Sequence, residues 1–458
     1  MELDMTKGNP FKLILNFMVP VLIGNVFQQL YNMADTIIVG RFVGIDALAA
    51  VGATGTINFL ILGFAMGLTT GFTVITAQKY GAGDYDGVKR SVIGALVLSA
   101  ITAVVITIIS VRGMDWLLTT MNTPEDIYVM SRDYIITICL GMTFTILYNI
   151  MASLLRAVGN SRAPLYFLII SSTINIVLDL VLIINFKMGV KGAALATVIS
   201  QGISGILCVF YTYRTVKVLV PGKEHLKLDY IIMKNQLNVG LPMALQFSIT
   251  AVGTIMVQAA LNKFGSVVVA SYTAANKAAM FATLPYTAIG VTMATYAAQN
   301  RGVNDIDRIK KGTRVASIMN VIYSIVAYGL IILLIPVLLK LFIDANADIP
   351  FDEILRYGRT YVVVLGSCYV ALGTIFIYRN TLQGVGYSMV AMVGGVVELI
   401  CRAIVATIAS AKMNYIGVCA ADPITWIVTG AYLLIMFSYA VKKMKAEKLD
   451  FQGKEAEA

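Results

Sequence analysis

Five charged side chains, Asp35, Asp179, Lys277, Glu398 and Arg402, fall inside long apolar runs, and a sixth, Asp422, lies near the start of another. A charge held at the centre of a bilayer costs about 2.5–3.5 kcal/mol even on the most tolerant insertion scale. Each of these residues therefore calls for a partner, for water, or for a function. Asp179, in SSTINIVLDLVLII, follows Asn175 by four residues, which on a helix puts both on one face about 6 Å apart along the axis. The amide can donate to a carboxylate or accept from a protonated acid, and desolvation penalises the charged form of such an acid. The pair suits the loading and release of a proton near neutral pH, or the tying of one helix to its neighbour. Asp35, in FQQLYNMADTIIV, shares a polar face with Gln28, Gln29 and Asn32. It reads as a second proton or cation ligand, or as an interfacial acid in water. Glu398 and Arg402 are spaced for an intrahelical ion pair, and Lys277 is expected to face an aqueous cavity or an acid. These three residues outline a polar site in the second half of the chain.

Other chemistries are poorly supplied. The single histidine, His225, sits in a basic connection, and no HExxH-like or nucleophile–histidine pattern is present. The five cysteines (Cys139, Cys208, Cys368, Cys401, Cys419) lie in apolar stretches without CxxC spacing, so they read as buried thiols rather than metal ligands or disulfide partners. Neither an enzyme nor a metal or organic cofactor site is expected.

The elements that must carry these residues are membrane helices. Of 458 residues, 58% are hydrophobic and 13% charged, whereas soluble domains carry about 25% charged residues; the mean hydropathy is +0.80. A bilayer-spanning helix needs about 20 apolar residues. Twelve such segments are expected, at 14–40, 45–79, 91–111, 127–155, 163–185, 190–213, 231–261, 266–299, 315–339, 360–378, 387–411 and 416–440. With that division, 23 of the 35 Lys and Arg lie on the side of the termini and 10 on the other, with Lys277 and Arg402 inside helices. Such an excess marks the cytoplasmic face. Both termini are expected there, in a multi-pass membrane protein. The net charge of +10 is thus spent on topology, and no nucleic-acid partner is expected. The polar start MELDMTKGNPF carries no cleavable-signal pattern.

The chain repeats itself. Val19-Pro20 matches Leu241-Pro242 and Arg41-Phe42 matches Lys263-Phe264 at an offset of 222. Ala77-Gln78, Gly81 and Asp84 match Ala298-Gln299, Gly302 and Asp305 at 221, and Gly159 matches Gly386 at 227. Six helices per half is an even number, so the repeats run parallel through the membrane, as suits a transporter with its site between two lobes. The expected division is an N-terminal lobe 1–215, a cytoplasmic connection 216–228, a C-terminal lobe 229–445 and a cytoplasmic tail 446–458. The repeat sets Val257, Arg402 and Ala406 opposite Asp35, Asn175 and Asp179. A frame that can be built without these acids carries them in one half for another reason. Pro20 interrupts the backbone bonding of the first helix and reads as a static kink or as a hinge. Some of the 22 Met and the many aromatics are expected to line an adaptable cavity.

Over essentially its whole length the chain resembles the multidrug and toxic compound extrusion (MATE) family. The likeness rests on VPVLIGNVFQQLYNMADTIIVGRF, LLRAVGNSRAP, INIVLDLVLI and MGVKGAALATVISQ, then VGLPMALQ, AAQNRG, LQGVGYS and VVELICRAI, in that order. The branch it most resembles is the bacterial DinF-like one, which implies a place in a bacterial cell (inner) membrane. The resemblance implies an all-α protein of twelve transmembrane helices, in two six-helix lobes forming a V around a central cavity. It implies alternating-access export of amphipathic, often cationic compounds against H+ or Na+. A monomer in contact with membrane lipid is expected. The coupling acids of that branch match Asp35, Asn175 and Asp179, with Tyr134 and Thr197 as further polar positions, and Pro20 matches the proline where the first helix is held to bend. NorM-like members carry a glutamate on helix 7 where this chain has Thr250, so a cation site in the second lobe would need Glu398. The alternative is a flippase for lipid-linked oligosaccharides or another lipid, to which Lys277 and Arg402 would suit an anionic headgroup.

Overall fold

The computed structural model describes residues 3–342 and 351–457, with side chains apart from those of residues 266, 341, 342 and 449–457. Fifteen α-helices occupy the described residues, with one π turn, three short 3₁₀ turns and no strand among them. The first half contains α1 (Pro10–Phe42), α2 (Ile45–Gly81), α3 (Tyr85–Thr120), α4 (Glu125–Leu140), α5 (Met142–Ala157), α6 (Arg162–Leu180) and α7 (Gly189–Thr215). The second contains α8 (Tyr230–Leu261), α9 (Ser266–Gly302), α10 (Ile306–Phe342), α11 (Phe351–Gly366), α12 (Tyr369–Gly384), α13 (Ser388–Ala411), α14 (Tyr415–Cys419) and α15 (Ala421–Glu457). Ten helical segments are long and apolar enough to cross a bilayer alone. Two bent pairs, α4 with α5 (49°) and α11 with α12 (47°), complete twelve spans.

The expected segments 127–155 and 360–378 are thus bent rather than straight. A glycine stands at the first bend, where a Cβ on Gly141 would collide with the side chain of Val198 on α7. Cys368 stands 227 residues after Gly141, the offset that relates Gly159 to Gly386, so the bend belongs to the repeat. The repeat also sets helix starts. The Asp84 carboxylate accepts from the Gly87 amide at 2.8 Å, and that of Asp305 from the Arg308 amide at 2.9 Å. Each satisfies an orphan donor at a helix N-terminus. The Lys79 ammonium, 2.8 Å away, and the Gly87 amide hold the Asp84 carboxyl below the usual carboxylate range.

Two compact units emerge. One comprises Met1–Met5 and Val19–Phe247, the other Thr6–Met18 and Ser248–Ala458. Their limits fall after Met5 and within α1 and α8, whereas the 216–228 connection lies inside the first. Within the first unit α8 is fixed by close approach and by one amide. A Cβ on Gly67 would lie 2.6 Å from the Cα of Ala244, and one on Gly71 would collide with the backbone of Gly240. Small residues at that spacing let backbones meet in lipid, where packing rather than water exclusion drives association. One turn nearer the start of α8, the buried Gln236 Nε2 donates to the carbonyls of Phe72 (3.2 Å) and Ser91 (2.7 Å). His225, expected in an open basic connection, is buried, with Nε2 3.1 Å from Asp86 on α3. It ties the connection down. In the second unit, a single apolar core runs from Val257 on α8 to Met444 on α15.

Gly67→Val should lower the thermal-unfolding midpoint of detergent-purified protein by several degrees, in line with about 1–3 kcal/mol for overpacking. Gly113→Ala, where an added Cβ meets nothing within 4 Å, should leave it unchanged. Equal midpoints for the two variants would show that the α2–α8 approach has room to relax.

Candidate functional site

The acids of the first half converge. Asp35 sits on α1 and Asp179 on α6, and their carboxyl groups interact side chain to side chain. Asp179 is 0% exposed and Asn175 1%. Asn175 Nδ2 donates to Thr197 Oγ1 on α7 at 3.4 Å, and that hydroxyl donates to the Ala193 carbonyl at 3.2 Å. Tyr134, buried on α4, is close enough to both acids to interact electrostatically. All five expected residues of the first-half site are therefore brought together, inside one unit. Asp179 Oδ1 and Oδ2, Asp35 Oδ1 and Asn175 Oδ1 are buried with no hydrogen-bond donor among the described residues. Buried carboxyl oxygens without donors are rare, and two carboxyl groups facing each other are satisfied by a proton on one, donated to the other.

Sequence reasoning missed Tyr31, whose phenol interacts with the same two carboxyls. The signal was there: Tyr31 precedes Asp35 by one helix turn, the spacing of neighbours on a helix face. Of the polar residues grouped with Asp35, Asn32 Nδ2 donates to Gln29 Oε1 at 3.4 Å. Pro20 is buried in α1, which continues through it from Pro10 to Phe42.

The second-half residues do not form a matching acid site. Glu398 and Arg402 are paired as expected, Arg402 Nη2 to Glu398 Oε1 at 2.9 Å, but two more groups join them. Arg379 Nη2 reaches Glu398 Oε2 at 2.5 Å, and Arg402 Nε reaches Asp422 Oδ1 at 2.7 Å. Arg379 corrects the sequence reading, which left it in a connection after residue 378. It lies inside α12 and is 7% exposed. A helix can carry a guanidinium this deep because Glu398 neutralises it. Two cations and two anions leave the cluster neutral. Gly253 on α8 makes the room, since a Cβ there would collide with the Arg402 guanidinium. Lys277 stands apart: it is exposed and makes no ion pair among the described residues.

The two clusters are counterparts. At the offset of 227, Tyr134 corresponds to Tyr361, Asn175 to Arg402 and Asp179 to Ala406, and at 225 Thr197 corresponds to Asp422. The Asn175–Thr197 hydrogen bond of one unit is the Arg402–Asp422 ion pair of the other. One copy of the site holds its own countercharges; the other holds two acids and lacks them.

Comparison with known proteins agrees with this architecture. The model of the MatE family matches residues 20–181 and 242–408, one stretch in each half. The probable multidrug resistance protein YoeA of Bacillus subtilis is 30% identical over 393 residues, covering 83% of this chain and 82% of that protein. The probable multidrug resistance protein YpnP of the same organism is 26% identical over 84% of each chain. Among solved structures, a crystal structure of MATE in complex with MaL6 superposes with a TM-score of 0.90 at 22% identity, over 97% of this chain and 99% of that one. With two thirds of its length matched by the family model and a relative at 30% identity along most of the chain, the protein belongs to the MatE family of multidrug and toxic compound extrusion transporters.

Proposed function

We propose that this transporter exports amphipathic, often cationic, small molecules by antiport against protons, with Asp35 and Asp179 as the coupling carboxyls. The observation that carries the reading is the contrast between the two units. Every buried side-chain charge described in the second unit is ion-paired, whereas in the first the buried Asp179 carboxyl and the inner oxygen Oδ1 of the half-buried Asp35 have no cation or donor among the described residues. A proton, or a cationic substrate, fills that role. Asn175, Thr197, Tyr134 and Tyr31 hold the acids in place. The excess of Lys and Arg on the side of the termini supports a cytoplasmic location for both termini, in the inner membrane of a bacterium. Proton entry from outside would release the substrate held near the acids, and proton release inward would reset the site.

The energetics suffice for export. A potential of 100 mV contributes about 2.3 kcal/mol per charge moved and each pH unit about 1.4 kcal/mol. One proton exchanged for a neutral drug sustains a concentration ratio of order tens to hundreds. Exchange for a monovalent cation is electroneutral and draws on the pH difference alone. The flippase alternative loses part of its support, since Arg402 is already neutralised by Glu398 and Asp422.

Ethidium efflux from drug-sensitive cells or inside-out vesicles, driven separately by a pH and by a Na+ gradient, tests the reading. The pH gradient alone should drive efflux, and Asp179→Asn should abolish it while the variant remains monodisperse. Efflux driven by Na+ alone would replace the ion, and normal pumping by Asp179→Asn would remove the acid from the mechanism. Glu398→Gln should behave differently. It leaves the buried Arg379 guanidinium without its carboxylate while Arg402 keeps Asp422, a loss of about 3–5 kcal/mol, and should appear first as a lowered yield of folded protein and a lowered unfolding midpoint.

A further inference from the structure

Within the second unit, the exposed face of α9 differs in kind from that of its neighbour α10. Between residues 315 and 339 every exposed residue of α10 is apolar or glycine, as a surface against lipid requires. On α9 the exposed residues between 270 and 281 are Ala270, Thr273, Asn276, Lys277, Met280 and Phe281. Steps of three and four residues put them on one side of the helix, the side left over when α9 packs on α10, α11 and α12. Lys277 lies eleven residues into α9, about 16 Å along the axis from its start. A polar stripe holding an ammonium at that depth is a water-lined surface.

The stripe supplies donors and no acid. Neither α8 nor α9 contains an aspartate or glutamate, and the buried acids of the unit, Glu398 and Asp422, are held by Arg379 and Arg402. Tyr361, buried on α11, donates its hydroxyl to Asn276 Oδ1 at 3.0 Å. That bond occupies the amide oxygen and leaves the NH2 group for a ligand, on the residue next to Lys277. Thr273, one turn earlier, donates its own hydroxyl to the Val269 carbonyl at 2.8 Å. The frame does not require a cation here. At the offset of 222, Lys277 corresponds to Gly55, where an added Cβ would meet nothing within 4 Å.

We propose that this face of α9 recognises the carboxylate of an amphipathic substrate, with the Lys277 ammonium as countercharge, the Asn276 amide as second donor, and Met280 and Phe281 as apolar contacts. An ammonium and an amide NH2 present only hydrogens, which match a group that presents only acceptors. Hydrogen bonds between ionised partners are about twice as strong as neutral ones, whereas a lipophilic cation gains nothing from either donor. The inference rests on the export reading above and extends its substrate class to acid-bearing and zwitterionic amphiphiles.

Rhodamine B and its ethyl ester share a chromophore and differ by one carboxylate, so the ratio of their dissociation constants isolates that group. The ratio is read by fluorescence anisotropy on the full chain in phosphatidylcholine nanodiscs near neutral pH, where no ion gradient is present. Wild type should bind the acid at least as tightly as the ester. Lys277→Gln should weaken the acid at least tenfold relative to the ester, Lys277→Arg should keep the wild-type ratio, and Lys277→Glu should favour the ester further. Lys277→Met replaces Lys277→Gln if that variant is not monodisperse. An unchanged ratio in the uncharged variant, or a wild type that binds only the ester, overturns the proposal. So does a lipid occupant: phosphatidylglycerol in the nanodiscs would then weaken rhodamine B at least tenfold in wild type and not in Lys277→Gln. Because binding needs no gradient, the two readings fail separately. Normal ethidium pumping by Asp179→Asn sinks the coupling and leaves the ratio standing; an unchanged ratio beside intact pH-driven ethidium efflux sinks the carboxylate site alone.

Discussion

A charge enclosed by helices inside an apolar slab must be neutralised, and the means of neutralisation sorts the buried polar residues of this transporter. Where the chain supplies the countercharge itself, as Glu398 does for Arg379 and Arg402 and Asp422 does for Arg402, the cluster is self-contained and serves to hold α12, α13 and α15 together. Where it does not, as at Asp35 and Asp179, the proposed function assigns the missing charge to a mobile cation. The fixed cluster costs desolvation and repays it through geometry.

Both arrangements occupy one frame. The repeated Asp caps, the paired helix bends and the tyrosines Tyr134 and Tyr361 show how closely the halves follow each other. Side-chain exchange at a few corresponding positions then separates the roles: asparagine against arginine, aspartate against alanine, threonine against aspartate. Gly253 is part of that exchange, since the Arg402 guanidinium lies where its Cβ would be. The π turn is a backbone difference of the same kind, confined to the half that carries the unpaired acids.

Much of this was legible in the sequence, because the physics involved is one-dimensional. Twelve apolar runs, the bias of Lys and Arg and the internal offsets follow from composition and spacing along the chain. Asp179 with Asn175, and Glu398 with Arg402, could be paired because four residues make one helix turn. Tyr31 obeys the same spacing relative to Asp35 and went unnoticed because a tyrosine in an apolar run carries no charge to explain. Arg379 was misplaced because polarity alone ends a helix in a sequence reading, and its neutralising partner lies 19 residues away on another helix.

The sequence by itself determined the class of protein, its repeat and which residues were too polar to be passive. Only the tertiary structure decided which of them meet. Asp35 and Asp179 are 144 residues apart in the chain, and no periodicity relates them; helix packing does. The same holds for the bends at Gly141 and Cys368 and for the π turn. These are local departures from regular winding, and at Gly141 the close approach of Val198 on α7 is part of the same arrangement. Such departures exist only once the neighbours are in place.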